Sequence, residues 1–160
     1  MKNKKTYLIG GGIIALAVLI VLLSTLLPVA IQKNKMEKML VAASSAVQLS
    51  VRDPLFETGD ILGNRGKEVL VSGERLTELQ TSLKGLSEVG LRAKGVQKMP
   101  GGAMVMNVKA LTETGEIVIL YFEEEHFYYM DDGSAISFEA KDGATYQAIY
   151  QLLTDCIKDK

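Results

Sequence analysis

The feature that most constrains this chain is an uncharged, strongly apolar run near its start, at residues 7–31. As an α-helix rising about 1.5 Å per residue, the 25 residues of this run reach roughly 37 Å. The hydrocarbon core of a bilayer is about 30 Å thick. Lysines flank the run on both sides: Lys2, Lys4 and Lys5 before it, and Lys33, Lys35 and Lys38 after it. We therefore predict a short basic flank at 1–6 and one transmembrane helix at 7–31.

The apolar run is longer than the hydrophobic region of a cleavable signal peptide, which spans about 7–15 residues and ends at a small-residue cleavage site. It ends instead at Pro28 and a charged segment, and the nearest cluster of small residues, 42–46, lies well beyond it. We therefore expect a retained, single-pass signal-anchor in the cell membrane of a bacterial-type cell. The flanking lysines are balanced, but only six residues precede the run, so we expect the domain that follows to be extracytoplasmic.

The charge of the remaining chain argues against some classes of partner. All 19 acidic residues and 15 of the 18 basic residues follow position 32, which leaves a net charge near −4. Phosphate backbones bind basic surfaces, so we expect no nucleic-acid partner. The single cysteine, Cys156, allows no internal disulfide, and its helical spacing with Ile149 and Leu153 predicts a buried thiol.

The segment after the apolar run has the pattern of an amphipathic helix. Its apolar residues recur at helical spacing, at Met36, Met39, Leu40, Ala43 and Val47. A proline at position 54 disfavours helical geometry in the residue before it. We therefore predict an amphipathic stalk helix at 32–54, followed by a compact domain at 55–160.

An apolar helix that contains a proline and continues into an amphipathic segment below a small sheet domain resembles the amino-terminal half of type IV pilins. The resemblance covers about fifty residues and is architectural. Pilin precursors are processed after a glycine and carry a glutamate five residues later. The best-placed glycine here is Gly12, and Ala17 occupies the position of that glutamate. The resemblance implies a pilin-like or secretion-apparatus accessory subunit, which is the alternative function.

The domain has the element pattern of an α+β fold. Residues 67–71 predict a short strand, and Ser72 is placed to cap a helix that runs through Leu86. A period of two then predicts five strands separated by turn residues, at 91–98, 103–111, 117–122, 126–130 and 134–138. Asp142 is placed to cap a last helix that ends near Ile157. We predict an antiparallel meander of about five strands, packed by two helices on one face.

The lengths of the turns determine which side chains share a face of the sheet. We assign two-residue turns at Pro100–Gly101, Thr114–Gly115 and Asp132–Gly133, and a three-residue turn at Glu123–Glu125. The predicted core face then consists of Leu91, Ala93, Met104, Met106, Val108, Ala110, Ile117, Ile119, Tyr121, Phe127, Tyr129, Ile136 and Phe138.

The opposite face mixes basic and large apolar residues, a combination that solvent-facing sheets seldom carry. Either another part of the chain (residues 55–66 or the stalk helix) covers it, or a partner protein or a second copy does. The candidate interaction face consists of Arg92, Lys94, Lys109, Leu120, Phe122, His126, Tyr128 and Met130.

Catalytic and metal-binding patterns are not evident in the sequence. His126 is the sole histidine, and the acids beside it fall in turns where neighbouring side chains point apart. We expect no metal, no cofactor and no catalytic activity. The predicted function is a membrane-anchored extracytoplasmic domain for protein interaction or ligand sensing. A membrane-tethered hydrolase that uses His126 is a further alternative, which requires a pocket holding His126 and at least two convergent polar groups.

Overall fold

The computed structural model describes residues 3–52, 68–97 and 105–158. Side chains are described from residue 16 onward, except that of Gln97. The chain divides into two compact units, Met1–Gln32 and Lys33–Lys160. Helix α1 (Asn3–Ser44) begins in the first unit and ends in the second. The class is α+β, as the sequence predicts.

The first unit consists of the apolar part of α1. Its large side chains from Leu16 to Ile31 have exposed fractions of 43–62%. Among the described residues, α1 is the one helix long and apolar enough to cross a membrane, and none of its apolar window is buried. Pro28 lies inside the helix without ending it. One turn earlier, the hydroxyls of Ser24 and Thr25 each donate a hydrogen bond of 2.9 Å to Val21 O, as hydroxyls in an apolar helix commonly do.

The prediction of a stalk helix at 32–54 is wrong beyond Ser44. The side chains of Met36, Leu40 and Ala43 are fully buried, so this end of α1 belongs to the core of the second unit. The Ser44 and Ser45 hydroxyls bond back to Val41 O at 2.8 and 3.2 Å, and the chain then turns into strand β1 (Gln48–Arg52). The predicted role of Pro54 lies outside the described residues.

Within the described residues the sheet has seven strands, not about five, and each pairing between them is antiparallel. After β1 the strands are β2 (Glu68–Val71), β3 (Leu91–Gln97), β4 (Met106–Leu111), β5 (Ile117–Phe122), β6 (Phe127–Asp131) and β7 (Ser134–Ala140). Their order across the sheet is β2-β1-β4-β5-β6-β7-β3. The meander prediction is correct for β4 to β7.

The predicted hairpin between the 91–98 and 103–111 strands is wrong. Strand β3 pairs with β7 at one edge of the sheet, and β1 occupies the place beside β4. Helix α2 (Glu74–Glu88) connects β2 at one edge to β3 at the other. Its 15 residues extend about 22 Å, and the outer strands of the sheet lie roughly 29 Å apart. The helix therefore covers most of the distance between the two edges. The predicted Pro100–Gly101 turn lies outside the described residues.

The register prediction for β5 is wrong by one residue. The Thr112 N–H donates to Glu116 O at 2.9 Å and the Gly115 N–H to Thr112 O at 3.0 Å, which closes a three-residue loop with Gly115 at φ +81°. This is the type I turn with a left-handed third residue that such loops favour. Because the loop has one residue more than predicted, Ile117, Ile119 and Tyr121 leave the core face and Val118, Leu120 and Phe122 enter it.

The loop between β5 and β6 is one residue shorter than predicted, which is the opposite error. The Glu123 N–H donates to His126 O at 2.8 Å, so Glu124 and Glu125 form a two-residue loop where three residues were predicted. The two errors cancel, and Phe127, Tyr129, Ile136 and Phe138 lie on the core face as predicted. The Asp132–Gly133 turn between β6 and β7 is confirmed.

Both predicted helices pack on the core face, together with the end of α1. Helix α2 buries Leu79, Leu83 and Leu86, but its N-cap residue is Gly73, not Ser72, and no side chain caps it. Helix α3 (Gly143–Lys158) begins as predicted, with Asp142 accepting hydrogen bonds from Ala144 N at 3.1 Å and Thr145 Oγ1 at 2.5 Å. Cys156 is a buried free thiol, and burial raises its pKa.

Candidate functional site

The predicted interaction face is not one surface in the folded chain. Leu120 and Phe122 lie on the helix-covered side and are fully buried, because the longer Thr112–Glu116 loop turns their side chains inward. Phe122 stacks on Phe127 and Tyr146, with ring centroids 5.8 and 6.3 Å away. These two residues therefore stabilise the core and do not present a surface to a partner.

The basic residues of the predicted face are far apart in the sheet. Lys109 lies on β4, whereas Arg92 and Lys94 lie on β3, four strand positions away. At about 4.8 Å per strand this separation is roughly 19 Å. Lys94 Nζ forms a salt bridge of 2.6 Å with Glu139 on the neighbouring strand β7, and Arg92 lies opposite Glu139. The hydrogen bond from Lys94 is the main reason that the pKa of Glu139 is lowered.

The half of the second face formed by β6 and β7 is buried at Tyr128 and Ser137. Tyr128 and Ser137 lie opposite one another there, and each is 1% exposed. The ring of Tyr121 stacks on Tyr128 at 5.1 Å with the two planes nearly parallel. Burial raises the pKa of the Tyr128 hydroxyl. Met130, at the end of β6, is half-buried.

His126 is part of the turn between β5 and β6. Its Nε2 lies 2.9 Å from Glu123 Oε2, and the Tyr146 hydroxyl of α3 lies 2.5 Å from Glu123 O and 2.6 Å from His126 O. Gln147 Nε2 donates a bond of 2.8 Å to Glu124 O, so α3 holds the whole turn. The hollow lined by Ser50, Glu68 and Lys109 does not include His126, and nor does the one along α2 between Glu74 and Ser82. Within the described residues, no three acid, histidine or cysteine side chains are grouped to hold a metal.

The other half of the second face, over β1, β4 and β5, is open. We call the surface of Ser50, Lys109, Leu111, Ile117 and Ile119 the open face. Ile117 is 54% and Ile119 38% exposed, while Leu70 on the adjoining edge strand is 52% exposed. Isolated apolar residues are common on protein surfaces, but here Ile119 lies directly opposite Lys109 and Ile117 lies two residues away on the same strand, so two exposed isoleucines flank one cation.

A polar network borders the open face on β1 and β2. The Ser50 hydroxyl, on a residue only 5% exposed, lies 2.5 Å from Glu68 Oε1, and Arg52 Nη2 lies 3.0 Å from Glu68 Oε2. The hydrogen bond from Ser50 is the main cause that lowers the pKa of Glu68, followed by that from Arg52. Both oxygens of this carboxylate are therefore engaged within the sheet.

Lys109 is the cation of the open face. It is half-buried between Ser50 on β1 and Ile119 on β5. Its ammonium forms no salt bridge or hydrogen bond with the described residues, although its charge contributes to lowering the pKa of Glu68 on β2. A shallow hollow of about 110 Å³ beside it is lined by Gln48, Ser50, Glu68, Lys109, Leu111 and Ile117. An ammonium flanked by branched apolar side chains suits a partner that brings a carboxylate within an apolar surface.

The sequence pattern indicates Lys109 as a site residue but not the residues around it. The alternation along β5 favours Ile117 and Ile119 as core residues, and the pattern does not indicate Ser50 as a site residue. Gly115 was the available signal, because a three-residue loop with glycine in its last position is a common hairpin form that shifts the following strand by one residue. In comparisons with protein families, curated proteins and solved structures, none matches this chain.

Proposed function

We propose that this protein is a membrane-anchored, extracytoplasmic binding domain that presents the open face to a protein partner and has no catalytic activity of its own. The observation that carries this proposal is the Lys109 ammonium, which forms no salt bridge or hydrogen bond with the described residues and lies beside the exposed Ile117 and Ile119. Clustered exposed apolar side chains on a sheet mark interaction surfaces, and a cation among them favours partners that bring an acidic group.

The anchoring part of the proposal rests on α1. Eleven large apolar side chains between Leu16 and Ile31 are exposed, which water disfavours and a bilayer accepts. The lysines that follow, Lys33, Lys35 and Lys38, suit the headgroup region. The expected result of cell fractionation is that the chain remains with the membrane after carbonate extraction and that added protease cleaves the domain from outside.

Site-specific photo-cross-linking tests the open face. A photoreactive amino acid at position 119 in the membrane-bound chain should give a discrete adduct, and Lys109→Glu should remove it because the charge is reversed. Ala148 is exposed on α3, on the helix-covered side of the sheet, and is the control position. No adduct from position 119, or equal adducts from positions 119 and 148, would contradict the proposal.

The alternative, a pilin-like or secretion-apparatus accessory subunit, is favoured by one observation. Helix α1 continues without interruption from the apolar run to Ser44 and then packs its Met36, Leu40 and Ala43 on the core. A pilin-like subunit requires a continuous helix of this kind and also processing near Gly12. Mass measurement of the mature chain tests it, since an intact amino terminus argues against this function.

A further inference from the structure

The two edges of the sheet differ in how they are protected against pairing with another strand. An open sheet ends in unpaired N–H and C=O groups, and proteins blunt such edges with charges, bulges and prolines. At the β3 edge, Arg92 and Lys94 place two charges, and a bulge lies between Ala93 and Gly95, where φ is +102°. The β3 edge is therefore poorly suited to accept a further strand.

The β2 edge has none of these devices within Glu68–Val71. It pairs with β1 over four consecutive residues without a bulge, and it contains no proline. Its one charge, Glu68, is held by Ser50 and Arg52. Leu70 is 52% exposed on the second face, while Val69 and Val71 are buried on the core face. Among the described strands, none pairs with the outer side of β2, so this edge presents an apolar strand suited to pairing.

The residues of β2 are also complementary to themselves. In an antiparallel pair related by a two-fold axis through Leu70, Leu70 faces Leu70 of the second copy and Val69 faces Val71. Glu68 then faces Ser72, so no like charges meet, and apolar pairs form on both faces. An axis through Glu68 would instead place two carboxylates opposite one another. An axis through Val69 would place Glu68 opposite Leu70, and one through Val71 would place Leu70 opposite Ser72. Only the axis through Leu70 therefore pairs all three apolar residues of β2 with apolar residues.

From these features we propose that a second copy of this chain pairs antiparallel with β2, with Leu70 opposite Leu70, to make one continuous sheet through both copies. The blunted β3 edge stops further addition, so the assembly closes as a two-fold dimer and does not grow into a fibre. The proposal rests on the membrane anchoring proposed above and is independent of the partner of the open face.

Membrane confinement is needed because the contact is small. Stable interfaces in solution bury about 1,200–2,000 Å², more than a pair of four-residue strands provides. Two chains anchored in one bilayer meet at a high effective concentration, which compensates for a weak contact. We expect a dimer in vesicles that dissociates when the protein is diluted into detergent.

Disulfide cross-linking tests the register. In an antiparallel pair, directly opposed residues have Cα atoms about 4.5–5.5 Å apart, within the range that a disulfide spans. Leu70→Cys is made in the full chain with the buried Cys156 replaced by alanine, reconstituted in phospholipid vesicles and treated with a mild oxidant. The control is Val96→Cys, which is 62% exposed on the β3 edge. We expect the Leu70→Cys dimer to form at least about tenfold faster; equal rates would overturn the proposal.

Energy transfer between labelled chains in vesicles separates this proposal from the open-face function. Leu70→Lys should abolish the transfer while circular dichroism stays native, because an exposed position accepts lysine but two facing ammonium groups repel. Ile117→Lys, at a similarly exposed position away from the edge, should keep the transfer and lose the photo-adduct at position 119. Transfer that persists in Leu70→Lys, or that is lost in Ile117→Lys, would overturn edge pairing. A photo-adduct missing from the chain without either lysine substitution, with transfer intact, would overturn only the open-face function.

Discussion

Replacing Phe122 by alanine tests the register of β5, on which the location of the open face depends. Phe122 is fully buried, and its ring contacts those of Phe127 and Tyr146. Removing a buried phenylalanine costs about 3–5 kcal/mol through lost transfer free energy and the cavity left behind. For a domain of this size the expected fall in Tm is roughly 10–20 °C.

The matched variant is Ile119→Ala, three residues earlier on the same strand. Ile119 is 38% exposed on the opposite face, so its replacement should cost about 1 kcal/mol or less. Both variants are measured in the full chain in detergent micelles, by thermal unfolding followed with near-ultraviolet circular dichroism. The two aromatic residues that pack on Phe122 give this signal a direct report on the core.

If β5 instead had the register predicted from the sequence, the expected effects of Phe122→Ala and Ile119→Ala on stability would be reversed. With Ile117 and Ile119 in the core and Phe122 on the surface, Ile119→Ala would cost about 2–5 kcal/mol and Phe122→Ala would cost little. A Phe122→Ala variant that unfolds within a few degrees of the unmodified chain, together with a strongly destabilised Ile119→Ala, would refute the register and with it the open face.

Three further predictions concern the turns and the polar network. Tyr146→Phe removes the hydroxyl that contacts Glu123 O and His126 O, and should lower the free energy of unfolding by about 1–2 kcal/mol in a denaturant titration. Gly115→Ala places a Cβ at φ +81° and should cost about 1–2 kcal/mol, measured the same way, whereas a neutral effect would contradict the three-residue loop. Ser50→Ala should raise the pKa of Glu68 toward its ordinary 4.5, measured by carboxyl NMR titration. Because folding lowers the pKa of Glu68, this carboxylate stabilises the folded chain above its ordinary pKa, and the stabilisation is lost as the pH falls through the lowered value. Ser50→Ala weakens this stabilisation, so in an acid titration the variant should unfold at a higher pH than the unmodified chain.

The parts of the fold that the sequence predicts correctly are those set by local pattern. The apolar run, the helical spacing of Leu79, Leu83 and Leu86, the Asp142 cap and the Asp132–Gly133 turn each depend on residues within a few positions of one another. Strands β4 to β7 follow for the same reason, since short turns join neighbours in sequence.

The candidate site was predicted only in part, because it depends on turn length. Lys109 was identified, but one added residue in the Thr112–Glu116 loop exchanged Leu120 and Phe122 for Ile117 and Ile119 on the second face. Alternation along β5 is equally regular in both registers, so the apolar pattern alone did not distinguish them.

The local sequence by itself determined that this chain has one long apolar helix and an α+β domain with apolar helix faces and alternating strands. Only the tertiary structure decided that residues 48–52 become a strand, that β3 crosses to the far edge beside β7, and that β2 is an outer strand among those described. The physical reason is that the partner of a strand edge is chosen by the competition among all edges of the folded chain. That choice involves hydrogen bonds between residues far apart in sequence, which no local spacing records.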